Sequence, residues 1–126
     1  MSLDYLVFDY SEDEHGHGCF EAMASVPAKR LPALHAEITE LLGWAFDAFA
    51  GLRAPLEEGG EWDYLLEGRQ EWSVAETLSY DEGTGRIMCQ PGAAGEPLHT
   101  LTLAVSGSAQ FCAALSARFE LDEGAA

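Results

Sequence analysis

Apolar and polar positions repeat with two different periods along this chain, and the changes of period mark its elements. From Leu31 to Ala50 the residues Leu34, Ile38, Leu41, Ala45 and Phe49 recur at spacings of three and four, which predicts a helix with one apolar face. Pro32 suits the first turn, where a missing N–H costs nothing, and Gly51 stands where a C-terminal cap belongs. Leu42, Trp44 and Phe46 fall off the main stripe, so the helix is either buried on more than one side or shared with a second subunit. Glu37, Glu40 and Asp47 are left for the solvent side. A second helix is predicted over Ala109 to Phe119, with Ser108 as its N-cap and Phe111 and Leu115 on its inner side.

Elsewhere the period is two. Leu3 to Tyr10 reads as a first strand, with Leu6, Phe8 and Tyr10 on one face. Gly18 to Val26 resumes with Phe20, Ala22, Ala24 and Val26 in phase, which predicts a hairpin across the polar run Ser11 to Gly16. Pro27 ends that strand, because it has no N–H to give to a ladder. Trp62 to Glu67 and Leu98 to Val105 alternate as strands, and Gly68 to Gln70 marks a turn or bulge. Trp72 to Tyr80 is the cleanest strand: Trp72, Val74, Leu78 and Tyr80 share one face, and Ser73, Ala75, Thr77 and Ser79 the other. Asp81 to Gly85, DEGTG, predicts a hairpin turn into a short strand over Arg86 to Gln90, and Pro91 to Pro97 a surface loop.

These elements predict an α+β fold: a single antiparallel β-sheet of about five or six strands with two helices on one face, ferredoxin-like with additions. The expected core joins Leu34, Ile38, Leu41, Phe49, Phe111 and Leu115 to Phe8, Phe20, Val74, Leu78, Leu101 and Leu103. A chain of 126 residues fits one domain, taken as residues 1–121 with a frayed, disordered tail over 122–126.

Charge changes this picture most. There are 22 Asp and Glu against 6 Lys and Arg, for a net charge of -16. Such a field disfavours direct binding to nucleic acid and to anionic membranes and favours a basic protein. It also solubilises, or adapts a surface to salt, and self-repulsion lowers stability at low ionic strength. Cys19, Cys89 and Cys112 are an odd, scattered set that makes a poor disulfide framework, which suggests a reducing compartment such as the cytoplasm. The acidic start resembles no signal peptide, and no apolar run approaches the length of a membrane span.

The candidate chemistry is sparse. His15, His17 and Cys19 are the compact set of soft-metal ligands, two residues apart and so on one side of an extended chain, with Glu21 next in line. Strung along a strand, they need a bend at Gly16 or Gly18 to meet one ion; the plainer reading is an exposed acidic loop. Glu76 interrupts the apolar face of the best strand, as a buried general acid does, with Arg86 as a partner and Trp72 and Tyr80 as pocket walls. At a sheet margin it simply reaches water. Cys112 lies near a helix start and Cys89 near Arg86, positions that lower a thiol pKa, though packing explains both as well. No nucleotide fingerprint or nucleophile elbow is present, and no cofactor is expected.

Trp62 and Tyr64, set among carboxylates in EEGGEWDY, have the make-up of a recognition surface, or of an anchor that ties a loop to the core. The reading is therefore a non-enzymatic binding or regulatory module for a basic protein partner. Its alternatives are a small enzyme using Glu76 as acid or base or a metal near His15 and His17, and a homodimer joined through the face around Trp44 or a sheet edge.

Overall fold

The computed structural model describes residues 2–121, so the expected tail over 122–126 lies outside the described residues. Six strands and two helices follow in the order β1 (Asp9–Glu12), β2 (Gly18–Pro27), α1 (Leu31–Ala48), β3 (Trp62–Glu71), β4 (Val74–Asp81), β5 (Arg86–Ala94), β6 (Leu98–Gly107) and α2 (Ala109–Phe119). The fold is α+β and its strands pair antiparallel, as the two periods predict. No helix of the described residues is long and apolar enough to cross a membrane.

The strands form two sheets rather than one. β1, β2, β6 and β3 make a four-stranded sheet in that order, and β4 and β5 pair only with each other. β6 runs antiparallel to both β2 and β3, so the chain leaves β2, crosses by way of α1 and returns parallel to it, one strand removed. β3 and β6 are in turn the root of a long hairpin. Their ladder ends at Glu71 and Leu98, and the Gly95 N–H donates to the Ser73 carbonyl at 3.0 Å where β4 and β5 begin. Pro97, with no N–H, sits at the break.

Both helices cover one face of the four-stranded sheet. Leu34, Ile38, Leu41 and Ala45 of α1, and Phe111, Cys112, Leu115 and Phe119 of α2, bury against Phe20, Ala22, Ala24, Val26, Leu103 and Val105. Trp44, off the main stripe, turns inward: its ring meets Phe49, Phe111 and Phe119 at centroid distances of 6.0, 6.0 and 5.8 Å. Ser108 caps α2, its Oγ accepting from the Phe111 N–H at 3.2 Å and donating to the Glu61 carboxylate. The alternation had assigned Val74 and Leu78 to this core; they are 48% and 60% exposed. Their strand is amphipathic as expected, but no helix lies over that part of the hairpin.

The N-terminal strand is also shorter than its pattern. Residues 3–8 are irregular, with Leu6 buried, because Glu37 of α1 takes their hydrogen bonds. The N–H groups of Asp4, Tyr5 and Leu6 donate to its carboxylate at 2.7, 3.0 and 3.1 Å. Glu37 is therefore a half-buried clamp and not a solvent-facing residue.

Candidate functional site: an open acidic sheet face

Among the described residues no helix covers the other face of the four-stranded sheet, and its register can be read row by row. Asp9, Glu21, Ala104 and Leu65 form one row across β1, β2, β6 and β3; Ser11, Cys19, Ser106 and Asp63 form the next. Met23, Thr102 and Glu67, then Ser25, Thr100 and Arg69, continue it. The centre is small and hydroxylated, and the Ser25 and Thr100 hydroxyls share a hydrogen bond of 2.7 Å. Met23 and Leu65 stand out of it, 62% and 58% exposed.

Its acidic corner is at the β1–β2 end. Asp9 and Glu21 lie directly opposite each other, and like charges so placed repel. Neither takes part in an ion pair among the described residues. Around the hairpin stand Glu12, Asp13 and Glu14, and no Lys or Arg precedes Lys29 in the chain. By contrast, Arg53 is held by Asp63 at 3.0 Å, Arg69 by Glu71 at 2.7 Å and Arg118 by Glu40 at 3.2 Å, so three cations are already spent inside the fold.

Asp13 organises the hairpin loop. Its Oδ1 accepts the N–H groups of His17 and His15 at 2.9 and 2.8 Å, and these bonds, His17 first, hold its carboxyl below the usual carboxylate value. Gly16 takes a positive φ of 81° to close this turn. The His17 ring reaches back to Asp13 at 3.2 Å, whereas His15 neighbours Glu14 at 3.8 Å. His15, His17 and Cys19 are not brought together: no three His, Cys, Asp or Glu side chains among the described residues converge on a metal-sized site. Cys19 points from β2 into the open face. Burial, and then the charge of Glu21, push its thiol up, which disfavours the thiolate that a nucleophile or metal ligand needs.

The other candidates separate as well. Glu76 is exposed on β4 across from Pro91, while Arg86 faces Asp81 at the far end of the hairpin. The pair walled by Trp72 and Tyr80 therefore does not form. Trp62 is fully buried, its ring stacked on Phe111 at 5.4 Å and 2° and edge-on to Phe46 at 4.9 Å. It stands where a core anchor would, as Trp44 does; its indole N–H has no partner among the described residues. Tyr64 is half-buried beside it. Cys112 is buried and its Sγ lies 3.6 Å from the Gly107 carbonyl, a packing position.

No family model, curated protein or solved structure matches this chain. The Asp9–Glu21 pair was missed in the sequence because it depends on the register of a hairpin with a five-residue loop. The alternation does place Asp9 off the face of Phe8 and Tyr10, and Glu21 off that of Phe20 and Ala22. That much of the signal was present.

Proposed function

We propose that this protein is a non-catalytic binding module whose partner is a basic protein, docked on the open sheet face at its acidic corner. One observation carries the reading: among the described residues, Asp9 and Glu21 stand opposite each other without an ion-pair partner, on a face that no helix covers. Like charges directly opposite on neighbouring strands destabilise the pairing. A Lys or Arg brought by a partner converts the repulsion into two attractions. Glu12, Asp13 and Glu14 extend the negative field outward, which speeds encounter with a positive surface. Met23 and Leu65 supply apolar contact in the middle of the patch. An enzyme reading has no comparable support, since Glu76 is exposed on a two-stranded ribbon with Pro91 opposite it and Arg86 far along the hairpin.

We read the sheet as ferredoxin-like, with β2, α1, β3, β6 and α2 as the common part and β4 and β5 as an insertion. The strand of the β6 hairpin that lies between β2 and β3 supports this. Such a fold hosts many functions, and it is the acidic face that points to binding. Three free cysteines support a reducing, cytoplasmic setting.

The test is affinity capture from native cell extract with the wild-type chain and with the triple variant Asp9→Asn, Glu12→Gln, Glu21→Gln, each washed at rising salt. A basic protein held by the wild type at moderate salt and lost by the variant is expected. Retention of the same proteins by both chains would overturn the proposal.

A further inference from the structure

A lone two-stranded ribbon is marginally stable at best in water, and β4 with β5 is such a ribbon. Every residue of the two strands is exposed except the half-buried Asp81. The register divides the side chains between two faces. Val74 and Ala94, Glu76 and Pro91, Leu78 and Cys89, Tyr80 and Ile87 stand opposite each other on one; Thr77 and Gln90, Ser79 and Met88, Asp81 and Arg86 on the other. The first face is apolar apart from Glu76, and it lies bare: Tyr80 is 63% and Ile87 71% exposed, with Trp72 at the root 58% exposed.

A second open surface sits at the ribbon's root. Between α1 and the sheet lies a groove of 330 Å³ lined by His35, Ile38, Leu66 and Leu101, with Glu67 on its rim. It continues along Leu31, Gly68 and His99 toward the point where β3 passes into the ribbon. Gly68 lets the Leu101 side chain pack directly over the β3 backbone, because a Cβ there would come within 2.7 Å of Leu101 Cδ2. His35 lines the groove from α1, and His99 lines its continuation from β6.

We propose that the ribbon is an exchange arm: in a homodimer of this chain, each copy lays the apolar face of its ribbon into the groove at the root of the other's. Area argues for a second copy. At ~150–250 Å² for a large aromatic side chain, the bare parts of Trp72 and Tyr80 come to roughly 200–300 Å². With ~60–120 Å² for a buried aliphatic side chain, Val74, Leu78 and Ile87 bring the face to roughly 300–500 Å². A one-sided contact of that size is too small to be stable. Reciprocal exchange counts a ribbon and a groove on each copy, and so reaches the ~800 Å² per partner of a standard interface. Two-fold symmetry makes this exchange automatic. The acidic corner lies at the Gly18–Gly107 end of the sheet and the ribbon root at the Pro27–Leu98 end, so both surfaces can be used at once. The inference does not depend on the basic-partner reading.

The experiment is analytical ultracentrifugation of the full chain over a concentration series, with alkylation of Cys89 followed in parallel. Cys89 is exposed on the apolar face, while Cys19 is half-buried and Cys112 buried. The expected results are a species of twice the chain mass and Cys89 alkylation that slows as concentration rises. Ile87→Asp weakens association at least about 100-fold, and Leu66→Asp at least about 10-fold. Thr77→Asp, on the ribbon's other face, leaves association unchanged. His35→Asp, at an exposed helix position, replaces Leu66→Asp if circular dichroism shows that variant unfolded. A monomer at every concentration overturns the proposal and leaves the ribbon to an unrelated protein. A dimer indifferent to both groove variants overturns it too, because the ribbons then stack on each other.

Discussion

Glu37 shows how much one side chain can organise. It sits on α1, yet its carboxylate collects three consecutive backbone N–H groups of residues 4–6 and so ties the irregular N-terminal segment over the helix. Leu6 is buried as a result, and Leu3, Tyr5 and Phe8 pack against the core around it. Hydrogen bonds to a charged group are worth ~1.5–3 kcal/mol each at most, and three on one carboxylate share that value. Glu37→Ala is therefore expected to lower unfolding free energy by about 2–3 kcal/mol in urea denaturation, and Glu37→Gln by about half as much. Fast amide exchange at Tyr5 and Leu6 in Glu37→Ala, with β2 and β6 still protected, locates the loss. A change under about 0.5 kcal/mol would show that the segment is held by its apolar packing and not by the carboxylate.

At the scale of elements, the junction of β3 with α2 joins the two halves of the core. Ser108 follows β6, caps α2 through the Phe111 N–H, and binds Glu61 twice, its own N–H donating to the Glu61 carbonyl at 3.0 Å and its Oγ to the carboxylate. Gly107 precedes it because a Cβ there would collide with the Phe111 ring. Ser108→Ala loses the cap and leaves Glu61 without its donor, so a loss of about 1–2 kcal/mol is expected, at the upper end for an N-cap. Glu61→Gln measured alone and together with Ser108→Ala separates the two contributions; strict additivity would mean that the carboxylate contact adds nothing. The same scale explains the ribbon. β4 and β5 have the sequence of sheet strands, but they pair only with each other and stay exposed, with neither helix packed over them among the described residues.

For the whole molecule, charge and apolar surface act in opposite directions, and salt tells them apart. Binding of a basic protein at the Asp9–Glu21 corner gains from attraction and weakens as ionic strength rises. Self-association brings together two chains of net charge -16 and strengthens as ionic strength rises. Measured between about 50 and 500 mM salt, with a Debye length that shrinks across that range, the two constants are expected to move in opposite senses; a homodimer that loosens with salt would contradict the apolar arm. Much of this architecture is legible in the order of residues. Both helices, the N-cap at Ser108 and the inward faces of β2, β6 and α1 follow from local periods, because burial of Leu34, Ile38, Phe20 or Leu103 repeats with the backbone geometry that creates it. The amphipathic nature of β4 is legible for the same reason. Which apolar face finds a cover is not a local property: Val74 and Leu78 carry the pattern of core residues, and only the position of the helices leaves them in water. Register is equally non-local, and it alone sets Asp9 against Glu21 and moves Arg86 away from Glu76. Period tells which side of an element avoids water; the distances between elements, set when the whole chain packs, decide which side is covered and which charges meet.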